Sequence, residues 1–188
     1  MDPYLYALIS TYVPEHFSTL TELAGGLLIK EIRDGNTYAN GVLHSFNDEP
    51  AKSTTYYKSW WQYGRLGRDN DLPAMVWDDE SQMWLQHGEI HRDNDLPAII
   101  SHSGTKKWYR YGNLHRDNDL PSIIYSDGSQ EWHQNDQLHR DNDLPALICP
   151  SGTKKWFRRG LLHRDKGPAV VMSSGFKQWW KNGYNQIE

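Results

Sequence analysis

The heptapeptide His-Arg-Asp-Asn-Asp-Leu-Pro stands intact at His91–Pro97, His115–Pro121 and His139–Pro145. A degenerate copy runs Gly67–Pro73, a copy one residue shorter runs His163–Pro168, and a weaker one begins at His44. From Gly67 onward the copies start 24 residues apart. A period of this size is one supersecondary unit, which buries its apolar face only by stacking on its neighbours. The chain is therefore expected to fold as an array. A repeated site has no single focus for chemistry, so binding or scaffolding is expected rather than catalysis.

The cleanest unit reads Pro97-Ala-Ile-Ile-Ser, then His102-Ser-Gly-Thr, then Lys106-Lys-Trp-Tyr-Arg-Tyr, then Gly112-Asn-Leu. A short β-branched run, a Gly turn and an aromatic run with a second Gly read as a β-hairpin. Asp and Asn in the heptapeptide suit the return turn, and Pro97, Pro121 and Pro145 suit the first position of a strand. Trp60, Trp84, Trp108, Trp132, Trp156 and Trp179 align, each followed two residues later by a long polar side chain. The turn glycine is Gly64, Gly88, Gly112, Gly160 or Gly183, with Asp136 in its place once. Adjacent apolar residues in the first strand, such as Ile99 and Ile100, point to opposite faces. The expected fold is all-β: an elongated single-layer antiparallel sheet of about six hairpins over 27–188.

Residues 1–26 are expected to form a helical cap on the first sheet edge. Pro3 suits a first helical position, Leu5, Leu8, Ile9 and Tyr12 fall at helical spacing, and a second short helix is expected over Glu15–Leu23 before Gly25-Gly26. Leu-Ile-Ser-Thr-Tyr-Val-Pro also loosely resembles the start of an F-box. The single cysteine, Cys149, has no internal partner, no apolar run is long enough for a membrane helix, and no secretory signal is visible. A cytoplasmic location is the expectation. Mean hydropathy is −0.81, yet nine Trp and eleven Tyr argue against disorder. Net charge is −7 over 1–94 and +3 over 95–188, which favours self-association or an anionic partner for the C-terminal end.

The runs Trp-Tyr-Arg-Tyr-Gly-Asn-Leu-His (108–115), Trp-Phe-Arg-Arg-Gly-Leu-Leu-His (156–163) and Trp-Trp-Lys-Asn-Gly-Tyr (179–184) resemble MORN (membrane occupation and recognition nexus) repeats. The resemblance covers roughly residues 35–188. Where that family usually continues His-Gly-x-Gly, this chain has His-Arg-Asp-Asn-Asp-Leu-Pro, which resembles the MORN-like proteins of large DNA viruses. It implies an elongated sheet, a scaffolding role, self-association, lipid binding in some members, and a host cytoplasm or viral factory location.

Several motifs invite chemistry. His-Arg-Asp resembles a kinase catalytic loop, but no Gly-rich phosphate loop or Asp-Phe-Gly accompanies it. Asp-Asn-Asp suggests calcium, but Leu and Pro follow where further oxygen ligands are needed. Equivalent histidines two strands apart are about 9–10 Å from one another, too far to share a zinc ion. His91, Arg92, Asp93, Asp95, His115, Arg116, Asp117, Asp119, His139, Arg140, Asp141, Asp143, His163, Arg164 and Asp165 are thus expected to make turns and inter-repeat contacts. No cofactor is expected, and His102 and His133 are expected to be solvated. The candidate interaction surface is Trp108, Tyr109, Arg110, Trp156, Phe157, Arg158, Arg159, Phe176, Trp179, Trp180 and Tyr184, where aromatics meet cations. The function expected is a non-enzymatic protein-interaction scaffold, dimeric through its C-terminal repeats. A binder of anionic lipid and a carbohydrate-binding hairpin module are the alternatives; nucleic acid is not expected.

Overall fold

The computed structural model describes residues 19–23 and 26–186, all strand, turn and loop. Strands β1 (Thr19–Leu23), β2 (Gly26–Arg33), β3 (Asn36–Ala39) and β4 (Val42–Leu43) form an antiparallel meander. The helix expected through Leu23 is thus corrected: Thr19–Leu23 is a strand paired with β2. The rest of the helical cap and the F-box-like segment lie outside the described residues.

Beyond the meander, each of six repeats holds two hairpins rather than one. An inner hairpin, such as Ile99–Ile100 with Lys106–Lys107, contributes two strands to a continuous twelve-stranded antiparallel sheet. An outer hairpin, such as Tyr109–Arg110 with Asn113–Leu114, pairs only within itself as a strand ladder. The run Lys106–Tyr111, expected as one strand, therefore breaks at Trp108. The Trp108 N–H donates to Ser122 O of the next inner hairpin at 2.8 Å. Its carbonyl accepts from the His115 N–H at 3.2 Å, closing the outer hairpin. One residue bonded in two directions cannot continue a single ladder.

Local sequence accounts for each reversal. Tyr111 (φ 45) and Gly112 (φ 81) are both left-handed, the two-residue turn that matches strand twist. Asn94 and Asp95 repeat that geometry in the heptapeptide (φ 60 and 55), with Leu96 N–H donating to Asp93 O at 3.2 Å. Asn and Asp are the side chains that best tolerate it. The outer hairpins are tied in series by one backbone bond per repeat, for example Gly112 N–H to Ile90 O at 2.9 Å. At the start of the ladder, Thr37 N–H of β3 donates to Ala51 O at 2.7 Å, so the meander covers that edge.

Among the described residues there is no single central core. Burial is distributed as one set per repeat: Ala51, Ala74, Ala98, Ser122, Ala146 and Ala169 are inaccessible, and Trp60, Trp84, Trp108, Trp132 and Trp156 are 6–7% exposed. Cross-strand rungs run the length of the sheet, such as Val76–Gln82–Ile100–Lys106–Ile124–Gln130–Ile148–Lys154–Val171–Lys177. Aliphatic residues alternate there with long polar stems, which cover neighbouring apolar surface.

Candidate functional site

The heptapeptide builds a clip that recurs five times. In the central one, the Arg116 guanidinium lies 3.9 Å from the Trp108 ring centroid. It donates to both Asp95 carboxylate oxygens at 2.7 Å, and to Pro121 O at 3.2 Å. The Trp108 indole N–H donates to Asp95 O at 2.9 Å. One Arg thus joins its own loop to the preceding loop across the Trp between them. Arg68, Arg92, Arg140 and Arg164 do the same over Trp60, Trp84, Trp132 and Trp156, against Asp48, Asp71, Asp119 and Asp143. Each Arg stands eight residues after its Trp. The guanidinium hydrogen bonds hold the Asp48, Asp71, Asp95 and Asp119 carboxyls below the usual range.

The His and first Asp of each motif make a second tie. Asp93, Asp117 and Asp141 accept from Nε2 of His91, His115 and His139 at 3.0–3.2 Å, and Asp165 lies 3.2 Å from His163 Nε2. The first Asp also meets the long polar residue of its repeat: Gln86 with Asp93, Arg110 with Asp117, Gln134 with Asp141, Arg158 with Asp165. These bonds, Gln86 before His91 and Arg158 before His163, hold the Asp93 and Asp165 carboxyls low. On the other side, Nδ1 of His91, His139 and His163 accepts the backbone N–H of Tyr111, Arg159 and Asn182 in the next outer hairpin. This pattern places the ring proton on Nε2. His44 does the same for Tyr63, a role that sequence reading missed. His115 Nδ1 lacks a partner; at that level Asp136 Oδ1, in place of the turn glycine, takes the Leu114 N–H at 2.7 Å.

The fourth repeat holds a different arrangement. His133 occupies the position of Tyr109 or Phe157 and is buried at 8% exposure, not solvated as expected; His102 is exposed. Its Nδ1 lies 2.9 Å from Ser122 Oγ and its Nε2 3.6 Å from Glu131. Burial lowers the His133 pKa and raises that of Glu131. Ser-His-Glu is a nucleophile triad by composition, but Ser122 is inaccessible and its hydroxyl faces its own sheet. The hydroxyl replaces the alanine of other repeats and satisfies an imidazole that replaces an aromatic ring.

The candidate interaction surface divides. Trp108 and Trp156 are buried under Arg116 and Arg164, out of reach of a partner. Tyr109, Phe157 and Trp180 are half-buried, while Arg110, Arg158 and Arg159 are exposed. Phe176, Trp179 and Tyr184 are exposed together at the C-terminal end. Trp179 is 40% exposed; Lys166 stands thirteen residues before it and Ile187 eight after, where Trp84, Trp108, Trp132 and Trp156 have Asp and Arg. Residues 154–187 hold Lys154, Lys155, Arg158, Arg159, Arg164, Lys166, Lys177 and Lys181 against Asp165 alone. Among the described residues, no group of three or more His, Cys, Asp or Glu could hold a metal ion, and no helix is long and apolar enough to cross a membrane. Comparison with known proteins gave no matching family model, no matching curated protein and no matching solved structure.

Proposed function

We propose that this chain is a non-enzymatic repeat scaffold that binds protein, with its C-terminal end as the principal contact. The observation that carries the reading is the closure of the motif on itself. In five successive repeats the Arg and second Asp face each other rather than a shared cleft. Twelve strands at about 4.7–4.9 Å give a sheet about 50–55 Å long, a rigid spacer between its two ends. The exposed aromatics and cations at one end then supply the contact.

An anionic membrane is the second reading, favoured by the eight cations and the exposed Phe176, Trp179 and Tyr184. Two-fold pairing of the C-terminal ends is disfavoured at low salt, because it brings two such basic segments together. Cross-linking mass spectrometry on complexes recovered from the native cell tests the proposal. Cross-links from a second polypeptide to Lys166, Lys177 or Lys181 support it. Co-sedimentation with phosphatidylserine vesicles at physiological salt, without protein cross-links, transfers the function to the membrane reading. A free monomer in both assays refutes both.

A further inference from the structure

One copy of the motif lacks its first side chain. Gly67 stands where His91, His115, His139 and His163 stand in the copies that follow. Elsewhere that ring is almost wholly buried, His91 being 7% and His163 5% exposed. It is also bonded from both sides. Nδ1 of His91 accepts the Tyr111 backbone N–H at 3.3 Å, and Nε2 meets the Asp93 carboxylate at 3.2 Å. Asp93 in turn accepts from the Gln86 amide at 2.7 Å.

The partners of that ring are all kept around Gly67. His87 holds the place of Tyr111, Asp69 that of Asp93, and Gln62 that of Gln86. Among the described residues no protein group accepts the His87 N–H, and the neighbouring ion pairs run to Asp48 and Asp71, leaving the Asp69 carboxylate without a bond. The backbone does not demand glycine. The φ of Gly67 lies outside the left-handed region, and a Cβ there would meet only Leu85 O at 3.5 Å and His87 N at 3.8 Å, ordinary contacts. Two clefts, of about 250 and 370 Å³, both have Gly67, Asp69 and Gln62 in their walls. Gly67 is buried while Asp69 and His87 reach solvent, so the space is approachable from outside.

We propose that the seat at Gly67, between the His87 N–H and the Asp69 carboxylate, binds a neutral imidazole ring carried by another molecule. The chemistry is read from the rings that occupy the same seat in later repeats. The site offers a donor on one side and an acceptor on the other. A neutral imidazole answers both, with a lone pair on one nitrogen and an N–H on the other. A carboxylate accepts only and would face Asp69; an ammonium or guanidinium donates only and leaves the His87 N–H unmet. A cleft shaped for a missing side chain takes a small molecule of that shape when its polar groups are met. Two sources share this chemistry: a histidine side chain of a polypeptide, and a free imidazole compound. The site lies in the first repeats, away from the basic C-terminal end, and stands or falls apart from the scaffold reading.

The test is a titration of the ¹⁵N-labelled 188-residue chain with 4-methylimidazole, the histidine side chain cut at Cβ, at about pH 8, where the ring is neutral. A saturable shift of the His87 amide is expected, with a dissociation constant on the order of 1–10 mM for so small a ligand. Gly67→His supplies the ring from within, so it should raise the melting temperature and abolish the binding. Asp69→Ala, at an exposed position, should weaken binding about tenfold, the value of one hydrogen bond to a charged group, and it decides the matter if the Gly67→His chain does not fold. Pyrazole, of the same size but with adjacent nitrogens, should not bind. No saturation up to about 100 mM, an equal response to pyrazole, or indifference to Asp69→Ala in a folded chain overturns the proposal. The peptide Gly-His-Gly and free histidine then assign the source. Tighter binding of the peptide points to a polypeptide side chain, and tighter binding of histidine to a small molecule.

Discussion

Arg116→Ala removes one clip from the middle of the array, and its cost can be worked from the contacts. The Arg116 side chain is 13% exposed and stacked at 3.9 Å on a buried ring, which is worth about 1–2 kcal/mol. The two-pronged pair with half-exposed Asp95 adds about 0.5–1 kcal/mol, and the bond to Pro121 O about 1 kcal/mol. These overlap, so the expected loss is about 2–4 kcal/mol, a fall of about 5–15 °C in melting temperature for a chain of this length. Arg116→Lys keeps the charge and most of the stem but loses the planar fork, and about half of that loss is expected. Arg110→Ala is the internal control. That Arg is 51% exposed and pairs with an equally exposed Asp117, so its loss should stay within about 0.5 kcal/mol. Chemical denaturation of the three variants with wild type checks the ranking. If Arg116→Ala costs no more than Arg110→Ala, the clip contributes no net stability, and the backbone ladder alone holds neighbouring repeats together.

Acid should destabilise the chain in two stages. His44 and His133, lowered by burial, give stability that is present above about pH 6.5 and lost as pH falls towards their folded values. The clipped Asp48, Asp71, Asp95 and Asp119 give stability present above about pH 4 and lost below it; a melting temperature flat from pH 7 to 3 would contradict both. Glu131, raised by burial, acts with the opposite sign, so Glu131→Gln should stabilise at pH 7 and make no difference near pH 4. Ser122→Ala combined with His133→Tyr restores the pairing of the other repeats. It should cost less than the sum of the single changes by about 0.5–2 kcal/mol in a double-mutant cycle, and strict additivity would deny the coupling. Chelator should leave the melting temperature unchanged; a large drop would return the Asp-Asn-Asp turns to calcium.

The period, the turn residues and the apolar pairs of the inner strands are legible in sequence because each is a local property. Asn94-Asp95 and Gly112 announce reversals wherever they occur, and Ile99-Ile100 can serve only as a strand with two occupied faces. The split at Trp108 is not legible. Lys106–Tyr111 has the composition of one strand, and only the acceptor at Ser122 and the donor at His115 divide it. The aromatic surface reads too broadly for the same reason. Trp108 and Arg116 belong to consecutive units in sequence, so nothing local reveals that one roofs the other. His133 looks solitary because its partner, Ser122, replaces an alanine eleven residues earlier. At the N-terminal side, Thr19–Leu23 is a strand because β2 pairs with it, a partner that helical spacing cannot weigh.

A clip that spans two loops has a consequence for where the molecule is weakest. Stability in such an array is a sum of weak units and the interfaces between them. Each internal repeat has an interface on both sides, and the first is covered by β1–β4 through Thr37 and Ala51. Among the described residues the repeat holding Trp179 has one such interface, and Lys166 stands where the internal clips have Asp. Its outer hairpin should therefore open at the lowest free energy of the six, with the fastest amide exchange at Lys181–Asn185. A protein partner docked on this end is linked to terminal stability by mass action, so it should slow that exchange in proportion to its occupancy. A ligand that binds elsewhere, on the acidic repeats or the exposed hairpin turns, would leave it unchanged.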